Sequence, residues 1–232
     1  MRARRTPLSL AAALATAAGL LLAAPASAAG SSGAGPAAAQ ADTVLTYGGA
    51  AGSAVAVGDV LTSSLKSGTT VAIRTTSGGT TGITCTASQF TAAVTANPTA
   101  PGTATESVTA HTFGGCTSNI VGTTGVQSIT VNNLPFVASV ASAGTLTVAA
   151  GSAGTIRTTV VINTILGATT CVYNSAGLSA TTSNTDNSIT FANQLFSLSS
   201  GPITCPSASY FSATYGPVTD VSQAGSPSVF VN

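Results

Sequence analysis

From Asp42 onward the chain never holds an apolar stripe at helical spacing for three turns, and this property excludes a helical core. It carries instead Thr, Ser, Val, Ala and Gly, in short stretches that alternate with period two and are broken by Gly, Pro or Asn about every ten residues. Such β-branched side chains suit a pleated surface. In TVAIRT, Val71, Ile73 and Thr75 share one face while Thr70, Ala72 and Arg74 share the other. VQSITV places Val126 and then, after a slip of register, Ile129 and Val131 on one face, which predicts a bulge. IRTTVVINTIL, 156–166, is the longest apolar candidate and reads as a central strand or one bent between two sheets, with Gly167 as a turn signal. Further strands are expected at 136–140, 146–148, 188–192, 210–215 and 228–231. The expectation is an all-β fold, a β-sandwich of about ten to twelve strands, built either as one large domain or as two similar halves.

The first residues place Arg2, Arg4 and Arg5 ahead of the apolar run 8–24 and the small motif Ala26-Ser27-Ala28. That order is an export signal over 1–28, with cleavage expected after Ala28 and no membrane span once it is removed. Arg4 and Arg5 resemble a twin-arginine signal with Pro7 in place of the usual Phe, so both export routes stay open. Residues 29–41, AGSSGAGPAAAQA, read as a flexible linker, and the secreted domain is expected over 42–232.

Beyond the signal the chain keeps three basic residues, Lys66, Arg74 and Arg157, against Asp42, Asp59, Glu106, Asp186 and Asp220. No basic stripe is present to release counterions, so nucleic acid and anionic lipid are excluded as partners. Hydroxyls and backbone must keep so uncharged a surface wet.

ITCTASQFTAAVT, 83–95, and ITCPSASYFSATY, 203–215, share a cysteine-led phrase. With weaker matches after Cys171, they suggest a duplicated unit around 80–140 and 165–220; chance repetition of abundant Ser, Thr and Ala is the alternative. Four cysteines in an exported chain imply two disulfides in one of three connectivities. The duplication selects Cys85–Cys116 and Cys171–Cys205, each closing roughly thirty residues and contributing about 3–4 kcal/mol. No close cysteine pair and a single histidine argue against a metal site of Cys and His.

The titratable inventory is short. Glu106 and His111 stand five apart, which on a regular strand puts them on opposite faces. No GxSxG elbow accompanies the serines, so a hydrolase using His111 with a serine is the weakest reading. SNTDNS, 183–188, offers alternate oxygens faintly like a calcium loop but reads better as a polar hairpin. Thr75-Thr76 and Gly79-Thr80-Thr81 could form a hydroxyl-rich face for a wall polymer, although solvation of an uncharged surface explains them as well. Tyr47, Tyr173, Tyr210 and Tyr215 are the aromatic groups with a polar tip, and Tyr210 and Tyr215 fall on opposite faces. No catalytic, cofactor-binding or metal-binding residue is assigned and no cofactor is expected.

GITCTASQFTAAVTANPTAPGTATES, CTSN at Cys116, GVQSITVNNLPF, TTSNTDNSITF and YFSATYGPVTD together make most of 80–232 similar to a group of uncharacterised secreted proteins of actinobacteria, labelled by their twin-arginine-type signal region. The resemblance implies an exported, disulfide-bonded β protein and supplies no catalytic residues. The expected function is a non-enzymatic secreted component, extracellular or at the cell surface, that binds wall polymer or an extracellular protein or plays a structural part. The alternative is a small-ligand carrier or protein inhibitor, marked by a pocket of Phe and Tyr or a protruding loop at 97–103.

Overall fold

The alternating stretches form sixteen strands and no helix across residues 42–232, the part of the chain that this computed structural model describes. The expected signal, 1–28, and linker, 29–41, lie outside the described residues. In chain order the strands are β1 (Leu45–Tyr47), β2 (Ser53–Ala54), β3 (Val60–Ser64), β4 (Val71–Arg74), β5 (Gly82–Ala96), β6 (Thr103–Ser118), β7 (Thr123–Asn132) and β8 (Phe136–Ala141). They continue as β9 (Thr145–Ala149), β10 (Ile156–Thr164), β11 (Gly167–Ser175), β12 (Leu178–Ser183), β13 (Ser188–Ser200), β14 (Ala208–Tyr215), β15 (Thr219–Asp220) and β16 (Val229–Val231). Among the described residues no helix is long and apolar enough to cross a membrane.

The sandwich expectation is corrected to a closed barrel. The path β12-β9-β8-β6-β5-β4-β14-β13 returns on itself because β12 also pairs with β13, Ala180 against Phe191 through Ser183 against Ser188, and this makes a ring of eight antiparallel strands. Alternation and turn spacing are the same for a sandwich and a barrel; only the pairing that shuts the ring separates them. Beyond β13 the sheet forks. β11 pairs with the far end of β13 and continues the sheet through β10 to β7, while β16-β1-β2 form a separate small sheet.

Register shifts interrupt several long strands, and three of them matter here. Thr109 is extra in β6 opposite Thr91 and Ala92, Ala192 and Asn193 oppose the single residue Ser212, and Gln127 is extra in β7 at the slip read from VQSITV. Each adds a local kink and twist of the kind a closing sheet requires. Asn193 takes φ 48°, a left-handed conformation that asparagine tolerates well. The stretch 156–166, expected as a central strand or one bent between two sheets, is a central strand paired by β11 on one side and β7 on the other, and Ile165 and Leu166 form the exposed hairpin tip.

Both expected disulfides are present. Cys85 and Cys116 lie directly across from one another on β5 and β6, whereas Cys171 on β11 ties down the loop before β14 that holds Cys205. The two settings differ, and the ring draws strands from both proposed halves. The repeated phrases nevertheless flank one strand: β4 pairs with β5 on one edge and β14 on the other.

Candidate functional site

Inward alternation around the ring gathers the aromatic side chains. Phe90 on β5, Phe113 on β6, Phe136 on β8, Phe191 and Phe196 on β13 and Phe211 on β14 line one interior cavity of about 100 Å³, so six of the chain's seven phenylalanines meet there. Tyr173 and Tyr215 join them, with aliphatic side chains of β7, β8, β9 and β10 filling the remaining wall. An eight-stranded barrel has an interior just wide enough for side chains or one small ligand. Bulky rings here leave a space instead of filling it.

Two of the bulges decide who faces inward. Phe191 and Phe196 are five apart, yet both line the cavity, because Ala192-Asn193 resets the alternation of β13. Thr109 does the same on β6. Ala104, Glu106 and Val108 point in, Thr109 points out, and after the extra residue His111 and Phe113 point in again. The expectation that Glu106 and His111 lie on opposite faces is therefore wrong, and the bulge is the reason. Tyr215 faces inward at 1% exposure while Tyr210, without a bulge between them, faces out opposite Arg74.

His111 sits in an aromatic setting, with ring centroids 4.5 Å from Phe113, 5.7 Å from Tyr215 and 6.2 Å from Phe211. Its Nε2 lies 2.7 Å from Tyr215 Oη, which lies 2.8 Å from Ser88 Oγ, which donates to the Thr112 carbonyl at 2.7 Å. Each hydroxyl has one proton, and one arrangement uses every donor once: His111 Nε2–H to Tyr215, Tyr215 O–H to Ser88, Ser88 O–H to Thr112 O. Burial favours the neutral imidazole and holds His111 down at about 4. The same desolvation pushes the Tyr215 hydroxyl above its ordinary value. Ser88 also stands 3.3 Å from His111 Nε2, but its proton is committed to a backbone carbonyl, the reverse of the direction in which histidine activates a serine.

Glu106 is the unbalanced group. It is 7% exposed, lines this cavity and a smaller one of about 30 Å³ toward the β12–β13 turn, and accepts no hydrogen bond from the described residues. Burial alone pushes its carboxyl up to about 7. None of the three basic residues of the described chain reaches it. Lys66 pairs with Asp186, the Arg74 Nη1 donates to the Ile83 carbonyl at 3.2 Å, and the Arg157 Nε donates to Asn174 Oδ1 at 3.1 Å.

The other candidates find ordinary places. Asp186 in the SNTDNS turn is held low, at about 2, first by the hydrogen bond from Lys66 and then by that from Ser188, so the turn is an ion-paired hairpin. Thr75-Thr76 and Gly79-Thr80-Thr81 form the turn between β4 and β5, not a flat face. Asn97 is no protruding loop tip: its side chain accepts from the Leu45 N–H and donates to the Leu45 and Val55 carbonyls, all at 2.8 Å. Tyr47 lies on β1 opposite Val229, and the Tyr173 hydroxyl donates to the Pro206 carbonyl at 3.1 Å. No group of three or more His, Cys, Asp or Glu able to hold a metal occurs among the described residues.

Sequence reasoning missed Ser88 and the convergence of phenylalanines. The usable signal was Phe at 90, 113, 136, 191, 196 and 211, with too few other large side chains to fill a core. Comparison with protein families, curated proteins and solved structures finds no match to this chain.

Proposed function

We propose that the protein is an exported, non-enzymatic carrier or binder of a compact apolar molecule held inside the barrel. The observation that carries this reading is the aromatic cavity of about 100 Å³ lined by the ring strands together with β7, β10 and β11. Apolar cavities of roughly this scale stay dry and take up benzene-sized guests. Two disulfides fit an oxidising compartment outside the cytoplasm. The proton order of the His111–Tyr215–Ser88 chain argues against a serine nucleophile, and a wall-polymer face has lost its proposed residues to a turn.

The test is calorimetry and thermal unfolding of the mature chain with toluene as probe. The expected result is saturable binding and a raised unfolding midpoint, both abolished in Ala138→Leu, which fills the cavity from β8. A midpoint unmoved by toluene in the wild-type chain would overturn the reading.

A further inference from the structure

A carboxyl with no partner inside an apolar barrel is costly. Burying a polar group without a hydrogen bond costs on the order of several kcal/mol, and a charged one more. Glu106 lines both cavities, shares the larger one with six phenylalanines, and is paired with none of the three basic residues of the described chain. The remaining polar tips of the main cavity cannot neutralise it, because the Thr158 and Ser209 hydroxyls carry no charge. Tyr215 and His111 are committed to one another and to Ser88, and the Tyr173 hydroxyl is bonded to Pro206. Once the carboxyl ionises, no group of the described wall balances its charge, and a cationic guest in the space would.

Resting on the carrier reading above, we propose that the bound molecule is a small cationic amine, its apolar body among the phenylalanines and its ammonium paired with the Glu106 carboxylate. The chemistry suits the wall. An ammonium gains from aromatic faces as well as from the carboxylate, and a desolvated pair of this kind is stronger than the same pair in water. Size limits the body to roughly a single ring or a short branched chain, by comparison with cavities that hold benzene. A neutral alcohol would donate to one carboxylate oxygen but leave its charge unbalanced.

The experiment compares benzylamine, benzyl alcohol and toluene as probes on the mature, disulfide-intact chain, by calorimetry near pH 8. Benzylamine is expected to bind about tenfold tighter than toluene or more, a difference of about 1.4 kcal/mol. Glu106→Gln should abolish that preference, bringing benzylamine to within about twofold of toluene on the same variant. Toluene binding with no preference for benzylamine over toluene or benzyl alcohol, or a preference that survives Glu106→Gln, would overturn the amine assignment and leave the carrier standing. Failure of all three probes would remove both.

A second readout needs no variant. His111, Tyr173 and Tyr215 are the other titratable groups lining the cavity, and none carries charge near neutrality. As pH falls through about 7, Glu106 takes up a proton while an alkyl ammonium stays charged, so benzylamine affinity should fall and toluene affinity should not. Parallel curves for the two probes would sink the pairing.

Discussion

Glu106 and His111 face one cavity from a single strand, five residues apart, because Thr109 bulges out of β6 between them. Burial favours the uncharged form of each, and they oppose each other in how stability responds to pH.

Glu106 has its folded value raised from 4.5 to about 7, so its contribution is present in acid and lost as pH rises across that window. His111 has its folded value lowered from 6.5 to about 4, so its contribution is present above 6.5 and lost as pH falls toward 4. Between about 4.5 and 6.5 the two slopes cancel. Glu106→Gln should unmask the His111 slope and exceed the wild-type stability by about 3 kcal/mol at pH 8, with no gain at pH 4, as read from urea unfolding at several pH values.

Tyr215→Phe removes the middle of the His111–Tyr215–Ser88 chain and leaves the imidazole N–H unpaired in an aromatic setting. The expected cost is about 1–3 kcal/mol in urea unfolding, and Ser88→Ala should cost a similar amount because it leaves the buried Tyr215 hydroxyl without its acceptor. Equal stability of Tyr215→Phe and wild type would mean that water replaces the hydroxyl.

Replacing Cys171 and Cys205 by Ala should cost about 3–4 kcal/mol and free the loop between β13 and β14, where Ile203 is fully exposed. Limited proteolysis should then cut within 201–207. The corresponding change at Cys85 and Cys116 should lower stability without opening that loop.

Asp220 is 0% exposed, and its Oδ2 has no partner among the described residues while Oδ1 accepts the Ser222 N–H at 3.0 Å. Burial first, and the neighbouring Asp59 carboxyl after it, raise its affinity for a proton. A raised carboxyl loses its contribution as pH climbs above the ordinary range, so Asp220→Asn should stabilise the protein at pH 7 and leave it unchanged at pH 3, by thermal unfolding.

The all-β class, the bulge near Gln127 and both cysteine pairings were legible because each leaves a mark in residue order: period two, a slipped period, a repeated phrase. Closure was not legible, since β12 against β9 and β13 against β14 join segments whose local patterns fit either architecture. The shared orientation of Glu106 and His111 was hidden for a sharper reason. The insertion at Thr109 is an ordinary β-branched residue with no conformational signature, while the one at Ala192-Asn193 at least contains an asparagine at positive φ. A single unmarked insertion inverted the face on which every later residue of β6 was expected.

The pairing of β1 with β16 sets Leu45 against Val231, and Asn232 Nδ2 donates to Thr46 Oγ1 across 186 residues. The three-stranded sheet cannot begin until both segments are at hand, and contacts this distant in sequence form slowly. Time, not only geometry, thus separates the two sheets: in pulsed hydrogen exchange during refolding, the amides of β1 and β16 should gain protection together, after the hairpin of β5 and β6 has closed.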